Sequence, residues 1–128
     1  MQQTKTLTMF ALASRTASAN GTGLNTLYNL LPITQDAEGY TRHMMVSLLV
    51  GTVTGTTPTL DATVEGSWDG GTTYFTLTPS SPWTQVVAST NKQVRRYEGP
   101  LPPLVRGVLT IGGTSPVFPT TMLATAGG

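Results

Sequence analysis

Three acidic side chains spaced four residues apart are the first candidates for chemistry in this sequence: Asp61, Glu65 and Asp69. Carboxylates held close together bind calcium or share a proton in acid–base catalysis. Their segment alternates apolar and polar residues and is predicted to be a β-strand, where residues four apart lie roughly 13 Å from each other at about 3.4 Å per residue. Calcium ligands must lie within about 2.6 Å of the ion. The three carboxylates therefore cannot form one site, and we interpret them as a solvated strand face.

His43 is the only histidine, and no hydroxyl is marked as its nucleophile. A catalytic triad needs a nucleophile, a base and a third group that orients the base. Ser67 lies in residues 66–70, which lack the Gly-x-Ser-x-Gly spacing of a nucleophile elbow and belong to a predicted hairpin. The absence of cysteine excludes disulfides and thiolate metal sites. We expect a protein that is not an enzyme, with no catalytic residue, metal site or cofactor.

The residues that suggest binding are an arginine pair and two tryptophans. Arg95 and Arg96 are adjacent, so on a strand they point to opposite faces; we expect one to bond a carboxylate of a neighbouring subunit and the other to face solvent. Trp83 follows Ser-Ser-Pro and is expected to be exposed, whereas Trp68 alternates with apolar residues and is expected to be buried. An exposed Trp83 with tyrosines nearby would stack on a sugar ring, so glycan binding is one alternative function.

The composition limits the possible partners. Only 10% of the residues are charged and the net charge is +1, against about 25% charged in an ordinary soluble domain. Such a surface has no field that steers nucleic acid, and we expect no nucleic-acid partner. No apolar run reaches the roughly eighteen residues of a membrane span, so no membrane association is expected either. A surface with few charges suits a protein that is covered by other protein.

The segments that would position these residues are predicted to be short strands. Residues 40–53 form the longest one, and its centre is apolar at almost every position, which is typical of a strand covered on both sides. Residues 60–77 are predicted to form a hairpin with an Asp-Gly-Gly turn, which supplies the positive φ angles of a tight turn. Residues 83–97 predict a second hairpin. A Gly-Gly-Thr turn at residues 112–114 is predicted to lead into a last strand.

Roughly seven to nine such strands, with turns every 8–12 residues or so and no helical periodicity, predict an all-β fold. We expect an antiparallel β-sandwich, jelly-roll-like as the first choice and immunoglobulin-like as the second. Residues 1–128 are expected to form a single domain. Residues 14–26 are rich in glycine and small polar residues; these residues and residues 1–6 are predicted to be flexible arms, and residues 125–128 are predicted to fray.

Three phrases in the second half carry a resemblance to a known class of proteins. They are residues 59–75 with the Asp-Gly-Gly turn, residues 101–110 with a Pro-Pro entry, and residues 111–118 with Gly-Gly-Thr-Ser-Pro. Together they resemble small accessory structural proteins of tailed bacteriophages, and the resemblance covers about residues 59–123. It implies a head decoration or cement protein that binds the major capsid protein and itself, as a homotrimer, on the capsid surface after assembly in the host cytoplasm.

The interface of such a protein is expected to use five residues: Met44, Met45, Trp83, Arg95 and Arg96. The two methionines are predicted at the subunit seam, because flexible thioethers fit irregular surfaces. Two other functions stay open. One is a glycan- or host-binding module of a head fibre, tail or baseplate, and the other is a head–tail connector protein.

Overall fold

The computed structural model describes residues 4–21, 41–102 and 104–127, and every regular element in these ranges is a β-strand. The strands are β1 (Thr4–Arg15), β2 (Ala19–Asn20), β3 (Thr41–Val50), β4 (Thr54–Ser67), β5 (Phe75–Thr76), β6 (Asn91–Leu101) and β7 (Leu104–Gly127). All pairings between them are antiparallel. The prediction of an all-β antiparallel fold is confirmed. Within the same ranges, no helix is long and apolar enough to span a membrane.

The longest strand, β7, organises the molecule. Its second part pairs with β3 and β1, and β6 is added to β3, which gives a first half-sheet in the order β6-β3-β7-β1. Its first part pairs with β4 and β2, and β5 is added to β4, which gives a second half-sheet in the order β5-β4-β7-β2. The two half-sheets are thus joined through one shared strand that bends from one to the other.

Two copies of a four-residue motif stand at this bend. Residues 55–58 read Gly-Thr-Thr-Pro and residues 113–116 read Gly-Thr-Ser-Pro. Thr56 is in register with Thr114, and the pairing shifts on both sides of it within β4. The first and third residues of each copy have positive φ angles: Gly55 (116°), Thr57 (46°), Gly113 (105°) and Ser115 (50°). Such bulges increase local twist and bend a strand, which turns the ribbon between the half-sheets.

The predicted turn at residues 112–114 is therefore wrong, because β7 runs through it without reversing. Gly113 does have the positive φ angle that glycine permits, but it lies in a bulge instead of a turn. The second predicted hairpin, over residues 83–97, is also not formed. β6 pairs with β3, and the segment before β6 makes only an isolated bridge, between Val86 and Leu60 of β4.

A side chain takes the place of the missing hairpin ladder. The amide of Gln93 accepts a hydrogen bond from the backbone N–H of Thr84 at 2.9 Å and donates one to its carbonyl at 2.8 Å. Ser80 donates its backbone N–H to the carbonyl of Arg96 at 2.8 Å. The segment around residues 80–84 thereby covers the open edge of β6, which protects that edge from pairing with another chain.

Most described residues of the predicted arms are paired with β7, and the described residues of the predicted tail are the end of β7 itself. Residues 4–6 are in register with residues 125–127, and Ala19–Asn20 pair with Val108 and Leu109. Ser18 accepts a hydrogen bond from the backbone N–H of Ile111 at 2.9 Å. These residues satisfy the polar groups of a strand that would otherwise have an open edge, which local composition does not reveal. Residues 1–3, 22–26 and 128 of these predicted segments lie outside the described residues.

One cluster of buried side chains lies between the half-sheets. It takes residues from five strands and from the Val86 bridge: Met9, Phe10, Met44, Val46, Leu48, Val50, Leu60, Ala62, Val64, Val86, Tyr97, Leu101, Val105, Leu109, Phe118, Met122 and Ala124. In residues 43–50 of β3 and residues 60–66 of β4 the buried positions alternate with less buried ones. The core therefore covers one face of each half-sheet and leaves the other face available.

Candidate functional site

The residues predicted for an interface are separated by the fold into three places. Met44 is in the core with 0% of its surface exposed, whereas Met45 is 40% exposed. The prediction that both methionines form a contact seam is corrected for Met44, because neighbouring residues of a strand point to opposite faces. Arg96 lies with Met45, and Arg95 lies with Trp83.

Met45 and Arg96 lie on the solvent-facing side of the first half-sheet, which we call the outer face. Cross-strand register places Met45 opposite Arg96, Ser47 opposite Val94 and Leu49 opposite Lys92. On the other side of β3, Ser47 is opposite the half-buried Leu123 of β7. Side chains directly opposite each other on one face lie about 4.5–5.5 Å apart at Cβ. The outer face thus brings together four apolar side chains around Ser47: Met45, Leu49, Val94 and Leu123.

Three of these apolar side chains are exposed to solvent: Met45 at 40%, Leu49 at 38% and Val94 at 50%. A shallow depression of about 480 Å³ adjoins them and is lined by His43, Met45, Arg96 and Glu98. Arg96 and Glu98 form an ion pair at 3.2 Å, with more than half of each side chain exposed. A pair this exposed contributes little to folding. The outer face is therefore an apolar patch with charged side chains at its margin.

Trp83, Arg95 and Tyr97 form a second cluster on the inner side of β6. The indole Nε1 of Trp83 donates a hydrogen bond to the hydroxyl of Tyr97 at 2.8 Å. The guanidinium of Arg95 lies 5.4 Å from the centre of the Trp83 ring, and its Nε donates to the carbonyl of Pro82 at 2.9 Å. Burial raises the pKa of Tyr97, partly offset by the bond from Trp83 and the charge of Arg95. The hydrogen bond to Tyr97 and the contact with Arg95 fix the orientation of the Trp83 indole.

The expectations for the two tryptophans are reversed. Trp83 is half-buried and packs against the core, whereas Trp68 is 47% exposed. Trp68 follows directly after the end of β4 at Ser67, so the alternation that predicted its burial no longer applies. Arg95 is likewise held by its own chain instead of being directed outward to a neighbouring subunit.

Trp83 also borders a gap beside β4 that sequence reasoning did not find. Leu77 donates its backbone N–H to the carbonyl of Val64, after which the chain leaves β4 and returns at the pair of hydrogen bonds between Val86 and Leu60, all at 2.9 Å. The gap has a volume of about 290 Å³. Its polar lining is provided by Asp61, Thr63, Thr76 and Thr84, and Trp83 adds an aromatic wall. The Val86–Leu60 bridge and the hydrogen bond from Gln85 to Asp61 bring residues 61 and 83 together, so no local motif signals the site.

The three acidic residues of the predicted strand face have three different partners. Asp61 accepts a hydrogen bond from the side-chain amide of Gln85 at 2.9 Å. Glu65 accepts two from Arg106, at 2.7 and 2.9 Å. Among the described residues, no group of three or more histidine, aspartate or glutamate side chains is placed to hold a metal ion.

Asp69 stabilises the Asp-Gly-Gly turn. Its carboxylate accepts hydrogen bonds from the hydroxyl of Ser67 at 2.7 Å and from the backbone N–H groups of Thr72 and Thr73. These bonds, that of Ser67 first, lower the pKa of Asp69 to about 2. Ser67 in turn accepts the backbone N–H of Gly71 at 2.9 Å. The hydroxyl of Ser67 thus donates one hydrogen bond and accepts another within the turn.

Comparisons with known proteins assign no family. No family model matches the sequence, and no curated protein matches it. Among solved structures, a chain in the structure of infectious bursal disease virus Gx strain is similar, with a TM-score of 0.49 and 10% sequence identity. The similarity covers 98% of the present chain, which spans only 32% of the viral one. At this level of identity and structural similarity, the comparison does not assign a function.

Proposed function

We propose that this chain is a structural protein of a virus particle, and more specifically a decoration or cement protein on the outer head of a tailed bacteriophage. The proposed partners are the major capsid protein and further copies of the chain in a homotrimer. The outer face of the first half-sheet is the proposed contact surface. The resemblance of residues 59–123 to small phage structural proteins suggests the class, and the outer face supplies the physical basis.

The observation that carries the proposal is the grouping of Met45, Leu49 and Val94 on adjacent strands, all exposed. Single exposed apolar residues are common, whereas contiguous ones mark surfaces that other proteins cover. A methionine adapts its shape to an irregular partner. The margin contains Lys92, and Arg96 paired with Glu98, which fits the polar rim of an interface.

Many copies of this contact around the shell would make a patch of this size sufficient for attachment. Fully burying one Leu- or Met-sized side chain contributes about 1.5–3 kcal/mol, and these side chains are already partly buried. A single outer face therefore gives weak attachment. A trimer that contacts several shell subunits at once raises its effective affinity through multivalency, without any stronger individual contact. The low charge of the chain keeps repulsion between neighbouring copies small.

Co-sedimentation with capsids that lack the protein tests this proposal. The informative variant is Met45→Glu/Leu49→Glu, because the new carboxylates stand opposite Arg96 and Lys92. Opposite charges across a strand pair are favourable, so the variant is expected to fold. We expect its affinity for capsids to fall at least about tenfold, since two charges would have to be desolvated in the contact.

The matched control is Val87→Glu, which adds a carboxylate at an exposed apolar residue away from the outer face. It is expected to bind capsids as the unmodified protein does. Equal binding by the double variant would refute the assignment of the outer face, and no binding by the unmodified protein would refute the decoration function itself.

A further inference from the structure

We propose that the gap beside β4 is a binding site for a neutral saccharide. The gap is bounded by β4 on one side and by residues 77–86 on the other, and it shares no residue with the outer face. The inference therefore does not depend on attachment to a capsid.

The floor of the gap presents unpaired backbone groups. Along an antiparallel strand, alternate residues direct their N–H and C=O groups to the same side. Leu60 uses both groups to pair with Val86, and Val64 uses its carbonyl to accept from Leu77. The N–H and C=O of Ala62, between them, consequently point into the gap, and no residue of the described ranges pairs with them there. A donor and an acceptor at fixed positions thus face the gap.

The described side chains around these groups are acidic or neutral. Among the described residues that line the gap, Asp61 is the only charged one, and Thr63, Thr76 and Thr84 add hydroxyls. No lysine or arginine of the described ranges lines the gap, so these residues offer no counter-charge to a phosphate, sulfate or carboxylate ligand. The Asp61 carboxylate, positioned by Gln85, instead favours a ligand that donates hydrogen bonds from hydroxyls.

Trp83 supplies an apolar wall. Its indole lines the gap, and the hydrogen bond to Tyr97 and the cation–π contact with Arg95 hold its orientation before any ligand arrives. A pyranose ring combines a flat face of C–H groups with a rim of hydroxyls, and so fits an aromatic wall beside a carboxylate and backbone groups. Preorganised walls reduce the entropy lost on binding.

The size of the gap argues against a peptide. A peptide that adds to a sheet edge needs several consecutive open positions, and here Val86 and Leu77 occupy the positions on either side of Ala62. The volume of about 290 Å³ lies at the lower end of the range of ligand pockets, about 300–1,000 Å³. One or two sugar rings are the occupants that this space and chemistry favour.

Fluorescence titration can test the proposal, because the chain has two tryptophans and a Trp68→Phe background leaves Trp83 as the sole reporter. The probes are the methyl glycosides of glucose, galactose, mannose and N-acetylglucosamine and their β1–4-linked disaccharides. We expect a saturable change in Trp83 emission with at least one of them. In the same background, Asp61→Asn is expected to weaken that binding about tenfold, the loss of one charge-assisted hydrogen bond.

Glu98→Gln is the matched control, since it makes the same change at a carboxylate that does not line the gap; its binding should equal that of the background protein. The proposal is overturned if no probe gives a saturable change, or if Asp61→Asn and Glu98→Gln bind alike. A failure here leaves capsid co-sedimentation unchanged, so the two proposals are tested separately.

Discussion

The bend that joins the two half-sheets gives the sharpest prediction about this fold, through the substitution Gly113→Ala. An added Cβ would lie 2.6 Å from the carbonyl oxygen of Thr57 and 2.9 Å from the Cα of Pro58. Both neighbours are backbone atoms, so no side chain can move aside. The φ angle of Gly113 is 105°, which side chains other than glycine rarely adopt.

The expected magnitude has two parts. An unfavourable φ angle costs about 1–2 kcal/mol, and forcing an atom into packed backbone costs about 1–3 kcal/mol. The free energy of unfolding should therefore fall by about 2–5 kcal/mol, out of about 5–15 kcal/mol for a domain of ordinary stability. Gly55→Ala should behave similarly, because its Cβ would lie 2.7 Å from the carbonyl oxygen of Ser115 in the second copy of the motif.

Urea unfolding followed by tryptophan fluorescence measures this, with Gly70→Ala as the control. Gly70 also has a positive φ angle, of 76°, but an added Cβ meets no atom within 4 Å. It therefore carries only the conformational cost of about 1–2 kcal/mol, and any entropic gain in the unfolded chain cancels in the comparison. If Gly113→Ala and Gly70→Ala differ by less than about 0.5 kcal/mol, the two strands do not meet at the bend as described.

Three further predictions concern hydrogen bonds. The lowered pKa of Asp69, about 2, adds stability that is fully present above the unfolded value near 3.8 and is lost as the pH falls toward 2. Asp69→Asn should therefore be less stable than the unmodified protein at pH 6, and the difference between their urea midpoints should become smaller by pH 2. Gln93→Ala should lower the free energy of unfolding by about 1–3 kcal/mol, because the backbone N–H and C=O of Thr84 lose the side chain that bonds them. An unchanged free energy of unfolding would refute this role of Gln93. Tyr97→Phe should leave the Trp83 indole N–H without its acceptor and lower the thermal midpoint, whereas an unchanged midpoint would show that this bond adds nothing.

Local patterns predicted the parts of the fold that local physics determines. The alternation of Leu60, Ala62 and Val64 gave the buried face of β4, and the Asp-Gly-Gly sequence gave the turn that follows. The pattern of β3 could not tell which of Met44 and Met45 faces inward, because both are equally apolar. Only the position of the rest of the core decides that choice.

Long-range pairing could not be predicted from the sequence. Residues 83–97 are spaced like a hairpin, yet β6 pairs with β3, whose paired residues lie about forty to sixty positions earlier in the chain. The Gly-Gly-Thr sequence of residues 112–114 suits a turn and a bulge equally, and the pairing with the partner strand decides which of the two forms. The gap beside β4 was missed for the same reason, since Asp61 and Trp83 are brought together by long-range contacts, the Val86–Leu60 bridge and the Gln85–Asp61 hydrogen bond.

The number of copies in each virus particle tests the proposed function most directly, and quantitative mass spectrometry of purified virions against the major capsid protein measures it. A protein that decorates the shell should be present at on the order of hundreds of copies, in a fixed ratio set by the symmetry of the shell. A count of about a dozen or fewer, as a ring-shaped connector or tail protein would have, or absence from the particle, would contradict the decoration function.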